Sequence, residues 1–114
     1  MITIYFFSDI ESRERVRNVA DVFVSSDAIR CDVCYDVVRN AVKSGRTFIA
    51  LGNPDTFVAV DDYLCREGFY DSHDVSIFGA REDFFEAYEQ ERPLVVLTDD
   101  LDFAKHLRKL EAVQ

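Results

Sequence analysis

Four aspartates stand where a predicted β-strand ends and the next segment begins: Asp9, Asp55, Asp99 and Asp100. In a sheet of parallel strands the carboxyl ends share one edge, and such folds bind their ligands there. Carboxylates gathered at that edge bind hard cations such as Mg²⁺, and a bound cation assists phosphate-ester chemistry. The same aspartates also suit helix N-caps. A metal site formed by Asp9, Asp99 and Asp100 is therefore one interpretation, and helix capping is the other.

The segment Val95–Phe103, VVLTDDLDF, resembles the last strand-and-helix signature of PIN-like nucleases. In that family a Thr-x-Asp pattern delivers a metal-binding aspartate. The resemblance covers only this short segment. It implies that Asp99 or Asp100, together with Asp9 near the end of the first strand, would hold the metal ion of a phosphodiester-cleaving site.

Cys31 and Cys34 form a Cys-x-x-Cys pair at the start of a predicted helix. A helix N-terminus lowers the pKa of the first thiol, and such a pair is then redox-active. Together with Cys65 and His73 it would instead make a four-ligand zinc site. Cys34 also falls on the apolar stripe of its helix, which favours a plain core position. The sequence leaves these three interpretations open.

Acidic charge is concentrated in the second half of the chain. The protein has 22 acidic and 13 basic residues and a net charge of −9. Residues 53–102 hold fourteen acidic and three basic residues, whereas residues 1–52 are neutral overall. This sign disfavours direct nucleic-acid binding and favours a protein partner with a basic surface. The predicted contact residues lie on two predicted helices: Asp61, Asp62, Glu82, Glu86 and Glu89.

The chain has no apolar run near the ~20 residues that span a bilayer. Its N-terminus, Met1–Phe7, lacks the basic leader of a signal peptide. We therefore expect no membrane partner and a cytoplasmic location, where the three cysteines would be reduced.

Segments of strand and helix alternate along the sequence. Strands are predicted at 2–7, 47–51, 75–78 and 94–97. Helices are predicted from Asp9 or Ser12 to Val24, at 32–44, at 81–90 and from Thr98 or Asp99 onward. This alternation predicts a single α/β domain over residues 1–114. Its expected architecture is a three-layer Rossmann-like or flavodoxin-like sheet of four, or five, mainly parallel strands with helices on both faces.

The segment after Gly52 admits two structures. Asn53 can cap a helix with Pro54 at its first position, and Phe57, Val60 and Leu64 would then face the core. Alternatively, Asn53-Pro54-Asp55 makes a turn, and residues 56–60 pair back on 47–51 as a hairpin. The spacing of apolar residues favours neither.

These observations favour a non-enzymatic interaction protein, a regulator or inhibitor that binds a basic surface of nucleic-acid-handling machinery and needs no cofactor. A metal-dependent phosphodiester or phosphate-ester enzyme, with a PIN-like carboxylate site and Mg²⁺, is one alternative. A nucleotide-binding module at the strand ends is the other. No glycine-rich phosphate loop, GxSxG elbow or HExxH motif is present to favour an enzyme.

Overall fold

A computed structural model describes residues 1–8, 14 and 17–112. Its five strands form one all-parallel sheet in the order β2-β1-β5-β3-β4. The strands are β1 (Ile2–Phe7), β2 (Val22–Ser25), β3 (Thr47–Ala50), β4 (Val75–Ile77) and β5 (Val95–Thr98). The helices are α1 (Asp32–Ser44), α2 (Pro54–Arg66), α3 (Phe69–Ser72), α4 (Arg81–Gln90) and α5 (Leu101–Ala112), and a 3₁₀ turn spans Ser26–Ala28. The predicted α/β class is confirmed, with five strands.

The two faces of the sheet carry different helices. Side chains such as Ile49 and Leu97 pack with α1, α2 and α3 on one face. Their neighbours along the strands, Phe48 and Val96, pack with α4 and α5 on the other. Right-handed crossovers explain this division. The connections β2–β3 and β3–β4 both run toward the β4 edge, whereas β4–β5 runs back and so places α4 on the opposite face.

The strand β5 lies in the middle of the sheet. It pairs with β1 on one side and with β3 on the other, and all four of its residues are buried. A parallel strand covered on both faces is expected to be a continuous apolar run, as Val95-Val96-Leu97 is. This strand therefore brings the loop after β5 next to the loop after β3.

The helix predicted from Asp9 or Ser12 to Val24 is wrong over residues 17–24, which contain no helix. Residues Val22–Ser25 form β2, which pairs in parallel with β1 from Ile4↔Val22 to Phe7↔Ser25. Val24 packs on the α1 face and Phe23 on the opposite face, as the alternation of a strand requires. A short apolar run fits the periodicity of a helix as well as that of a strand. Here the run forms a strand because it can pair with the free edge of β1. Asp9, Ser12 and Val16 lie outside the described residues.

The helix alternative is correct for the segment after Gly52, and the hairpin is wrong. The Asn53 side-chain oxygen accepts hydrogen bonds from the N–H groups of Asp55, at 2.9 Å, and Thr56, at 3.4 Å. Pro54 occupies the first turn, where its missing N–H costs nothing. Val60 and Leu64 are buried and Phe57 is half-buried. The Asn53 cap therefore fixes the point at which the chain leaves the strand edge.

Two glycines end helices. Gly68 follows α2 with φ +69°, the left-handed conformation expected there. Gly45 follows α1 with φ +149°, a positive φ that is more extended than the left-handed helical conformation common after helices. A Cβ atom at residue 45 would also collide with the Leu94 side chain. No helix in the described part of the chain is both long and apolar enough to cross a bilayer.

The Asn53 cap gives a direct test of this local structure. Replacing Asn53 by Ala removes the acceptor of two N–H groups, and we expect the free energy of unfolding to fall by about 1 kcal/mol in urea denaturation. Asn40→Ala, the same change on the exposed side of α1, is the matched control and should not destabilise the protein. Equal stability of the two variants would contradict the capping role.

Candidate functional site

The carboxyl ends of β3, β4 and β5 meet at one edge of the sheet, as the parallel order requires. The chain leaves β3 toward the α2 face and leaves β5 toward the α5 face, so the two loops diverge. A crevice at such a divergence is the usual ligand position in open α/β sheets. Here it is a cavity of about 190 Å³.

Polar and aromatic groups from three loops line this cavity. Gly52 comes from the loop after β3, Gly79 and Arg81 come from the loop after β4 and the start of α4, and Thr98 and Asp100 come from the end of β5. The aromatic part of the wall is formed by Phe78, Phe84 and Phe103. The cavity therefore combines one cation and one carboxylate with an apolar wall.

Asp99, a predicted metal ligand, joins the two loops that diverge at the cavity. Its Oδ1 accepts a hydrogen bond from the Gly52 N–H and its Oδ2 accepts one from the Asn53 N–H, both at 2.8 Å. Both carboxylate oxygens are thus held by the backbone before α2. Asp99 fixes the position of the Asn53 cap relative to β5.

Asp100, the other described candidate ligand, caps α5. Its Oδ1 accepts the Phe103 N–H at 3.0 Å, and the Arg81 guanidinium donates to its Oδ2 at 2.8 Å. Arg81 also lies over the Phe103 ring, 5.8 Å from its centroid. Burial opposes ionisation of Asp100, but the Phe103 N–H and Arg81 outweigh it, and its pKa lies below the ordinary value. The carboxylate is held ionised by protein groups.

The donor set fits a divalent cation poorly. Asp99 accepts two backbone N–H groups and Asp100 accepts a backbone N–H and a guanidinium, so a cation would have to displace these partners. Asp9 lies outside the described residues. Asp55 is exposed at the start of α2 and lines a different depression with Arg30. Among the described residues no three His, Cys, Asp or Glu side chains converge as metal ligands.

The five predicted partner contacts fall on two opposite faces of the molecule. Asp61 and Asp62 belong to α2, and Glu82, Glu86 and Glu89 belong to α4, on the other side of the sheet. Asp61 is half-buried, and its Oδ1 accepts a 2.6 Å hydrogen bond from the Tyr70 hydroxyl. Burial, and then this carboxylate, raise the pKa of Tyr70 above its ordinary value. Of the pair on α2, only Asp62 is exposed.

The three glutamates of α4 form a row, which we call the α4 acidic row: Glu82, Glu86 and Glu89. Spacings of four and three residues place them on one side of the helix. All three are exposed, and the side chains that α4 buries are Phe84 and Tyr88. Within the described residues no salt bridge joins the row to a basic side chain. Glu82 also lies near enough to Arg81 to help raise the pKa of that guanidinium.

Sequence reasoning missed Arg81 as a residue of the strand-end cavity. It attends to carboxylates and glycines at the strand ends, and the partner of Asp100 comes from another loop. One signal was available, because Arg81 is one of only three basic residues between residues 53 and 102. It also opens a helix directly after a strand, at the edge where ligands bind.

The chain has no significant match among protein-family models, curated proteins or solved structures. The functional argument therefore uses the geometry of the chain itself.

Asp99 provides a test of whether the strand-end carboxylates stabilise the fold. Asp99→Asn keeps the shape but replaces one acceptor oxygen by a donor that faces a backbone N–H. We expect the free energy of unfolding to fall by about 1–2 kcal/mol. Asp62→Asn, an exposed carboxylate on α2, is the control and should change stability little. An Asp99→Asn variant as stable as the native chain would show that these hydrogen bonds are unimportant.

Proposed function

We propose that this protein is a small acidic interaction protein of the cytosol. It would act as a regulator or inhibitor by binding a basic surface of a protein partner from nucleic-acid-handling machinery. The observation that carries the proposal is the α4 acidic row, three exposed glutamates on one helix side without a salt bridge inside the described part of the chain.

The row has a physical reason to bind a basic surface. Like charges at positions i and i+4, such as Glu82 and Glu86, repel each other and slightly destabilise a helix. A cationic partner removes that repulsion when it binds. Unneutralised charge also attracts an oppositely charged partner over several ångströms and so raises the association rate at low salt.

The positions of the five predicted contact residues reduce the set that one partner can bind. Asp61 is already engaged by Tyr70, and it lies with Asp62 on the face opposite the α4 acidic row. One flat partner surface cannot contact both faces of the sheet. The proposed contact surface is therefore α4, and the α2 carboxylates serve as an internal control.

A binding experiment tests this assignment. The triple variant Glu82→Gln, Glu86→Gln, Glu89→Gln and the double variant Asp61→Asn, Asp62→Asn are immobilised beside the native chain and exposed to a cytosolic extract. We expect basic proteins to bind the native chain and the α2 variant, to be lost from the α4 variant, and to be released by raised salt.

Two outcomes would count against the proposal. If the α4 variant retains the same basic proteins, the row is not the contact surface. If the native chain retains no basic protein at low salt, the interaction function itself is wrong. Circular dichroism of both variants checks that the charge-neutral side chains leave the fold intact.

The strand-end cavity supports a second candidate, the binding of a small anionic ligand such as a nucleotide phosphate. Arg81 and the backbone N–H groups at the start of α4 supply positive potential at the cavity, against the negative charges of Glu82 and Asp83 in the same turn. At about 190 Å³ the cavity is smaller than most drug-sized ligand sites, so it would hold a phosphate or a similar fragment. The ligand would also compete with Asp100 for Arg81, and for this reason the candidate ranks second.

Thermal unfolding with inorganic phosphate and with adenosine nucleotides tests this second candidate. A ligand that binds only the folded state raises Tm as its concentration rises. We expect a rise for the native chain and for Arg92→Gln, and none for Arg81→Gln. Unchanged Tm of the native chain at millimolar ligand would exclude the candidate.

A further inference from the structure

Cys31 and Cys34 lie together at the N-terminus of α1. Cys31 is the N-cap residue of this thirteen-residue helix, and Cys34 is in its first turn. Their sulfur atoms are 3.4 Å apart, which is within hydrogen-bonding contact. A disulfide needs about 2.0 Å between the sulfurs, so bond formation would require only a small approach.

The two thiols differ in their access to solvent. Cys31 is exposed, whereas Cys34 is 5% exposed and belongs to the core beneath α1. A disulfide partner arriving from solvent can reach the first sulfur but not the second. This asymmetry is what a two-step exchange needs, because one thiol must attack the partner and the other must then resolve the mixed product.

The two thiols also differ in pKa, because their surroundings differ. The Cys34 N–H and then the Cys34 thiol stabilise the Cys31 thiolate and lower the pKa of Cys31, against partial desolvation and the charge of Asp32. Burial, and then the neighbouring Cys31, raise the pKa of Cys34 to about 11. The attacking group is therefore the exposed one, and the resolving thiol stays protonated until the first step is complete.

We propose that Cys31 and Cys34 are a thiol–disulfide exchange site, in which Cys31 attacks a small disulfide and Cys34 resolves the product. This inference is independent of the proposed partner binding, because the α4 acidic row lies on the other face of the sheet. The site's substrate class is a low-molecular-weight disulfide that reaches the exposed sulfur.

The reaction balances without a cofactor. The Cys31 thiolate forms a bond to one sulfur of the disulfide R–S–S–R, whose S–S bond breaks and releases R–S⁻. The Cys34 thiol then loses its proton and attacks the Cys31 sulfur, which breaks the mixed disulfide and releases the second R–S⁻. Both released thiolates take up the protons given up by Cys31 and Cys34. Two electrons pass from the dithiol to the substrate, and the reverse reaction oxidises free thiols.

Cys65 offers an internal comparison. It is also exposed, but it has no second cysteine beside it among the described residues. Partial desolvation by neighbouring atoms, and then Asp61 and Asp62, raise its pKa above the ordinary value. Exposure alone therefore predicts similar reactivity for Cys31 and Cys65. The proposed site predicts that Cys31 reacts several-fold faster than Cys65 with iodoacetamide at neutral pH.

The experiment uses the full chain with Cys65→Ser, treated with neutral hydroxyethyl disulfide or with oxidised glutathione and followed by intact mass. We expect the loss of two hydrogen atoms and no retained adduct. Adding Cys34→Ala should trap one adduct on Cys31, and adding Cys31→Ser should leave the buried Cys34 unreacted. The neutral reagent separates intrinsic reactivity from repulsion of glutathione by nearby acidic residues.

Three results would overturn the proposal. They are a retained adduct without an internal disulfide in the Cys65→Ser chain, equal trapping in the Cys34→Ala and Cys31→Ser variants, and iodoacetamide rates for Cys31 no greater than for Cys65. Circular dichroism identifies a Cys34→Ala chain that fails to fold. In that case the outcome is still decided by the Cys31→Ser variant, whose change lies at the surface, and by the Cys65→Ser chain, in which Cys31 and Cys34 are both intact.

Discussion

The central position of β5 is the constraint on which the rest of the structure depends. This strand is buried along its whole length and pairs with β1 and β3, although it is the last strand in the chain. Because β5 lies between them, β1 and β3 do not pair with each other in the described sheet. Folding of the sheet is therefore completed by a contact between distant parts of the chain, which is the slow kind of pairing in parallel folds.

The central position of β5 also brings together the polar groups of the loops after β3, β4 and β5. Because β5 lies beside β3, Asp99 reaches the N–H groups of Gly52 and Asn53. Because α4 returns on the opposite face, Arg81 reaches Asp100. Asp99 and Asp100, two of the carboxylates that the sequence analysis assigns to a metal ion, are thus used by the fold to hold one loop to the next. At this edge Arg81 balances the charge of Asp100.

Acidic side chains without a salt bridge in the described part of the chain lie along α4. On α4 the buried side carries Phe84 and Tyr88, and the glutamates occupy the solvent side. On the opposite face, α1 presents an exposed and a buried thiol at its first turn. The α4 acidic row and the thiol pair of α1 therefore lie on opposite sides of the sheet. Binding at one and reaction at the other can be tested independently.

The sequence by itself determined the elements whose signals are local. The apolar stripes of α1, α4 and α5, the continuous apolar run of β5 and the exposure of Glu82, Glu86 and Glu89 all follow from helix or strand periodicity. Tertiary structure decided what depends on partners distant in sequence. It made Val22–Ser25 a strand because β1 offered an edge, and it gave Asp99 and Asp100 backbone and Arg81 partners. It also separated Asp61 from the glutamates of α4, because crossover handedness, which no local pattern contains, assigns each helix to a face.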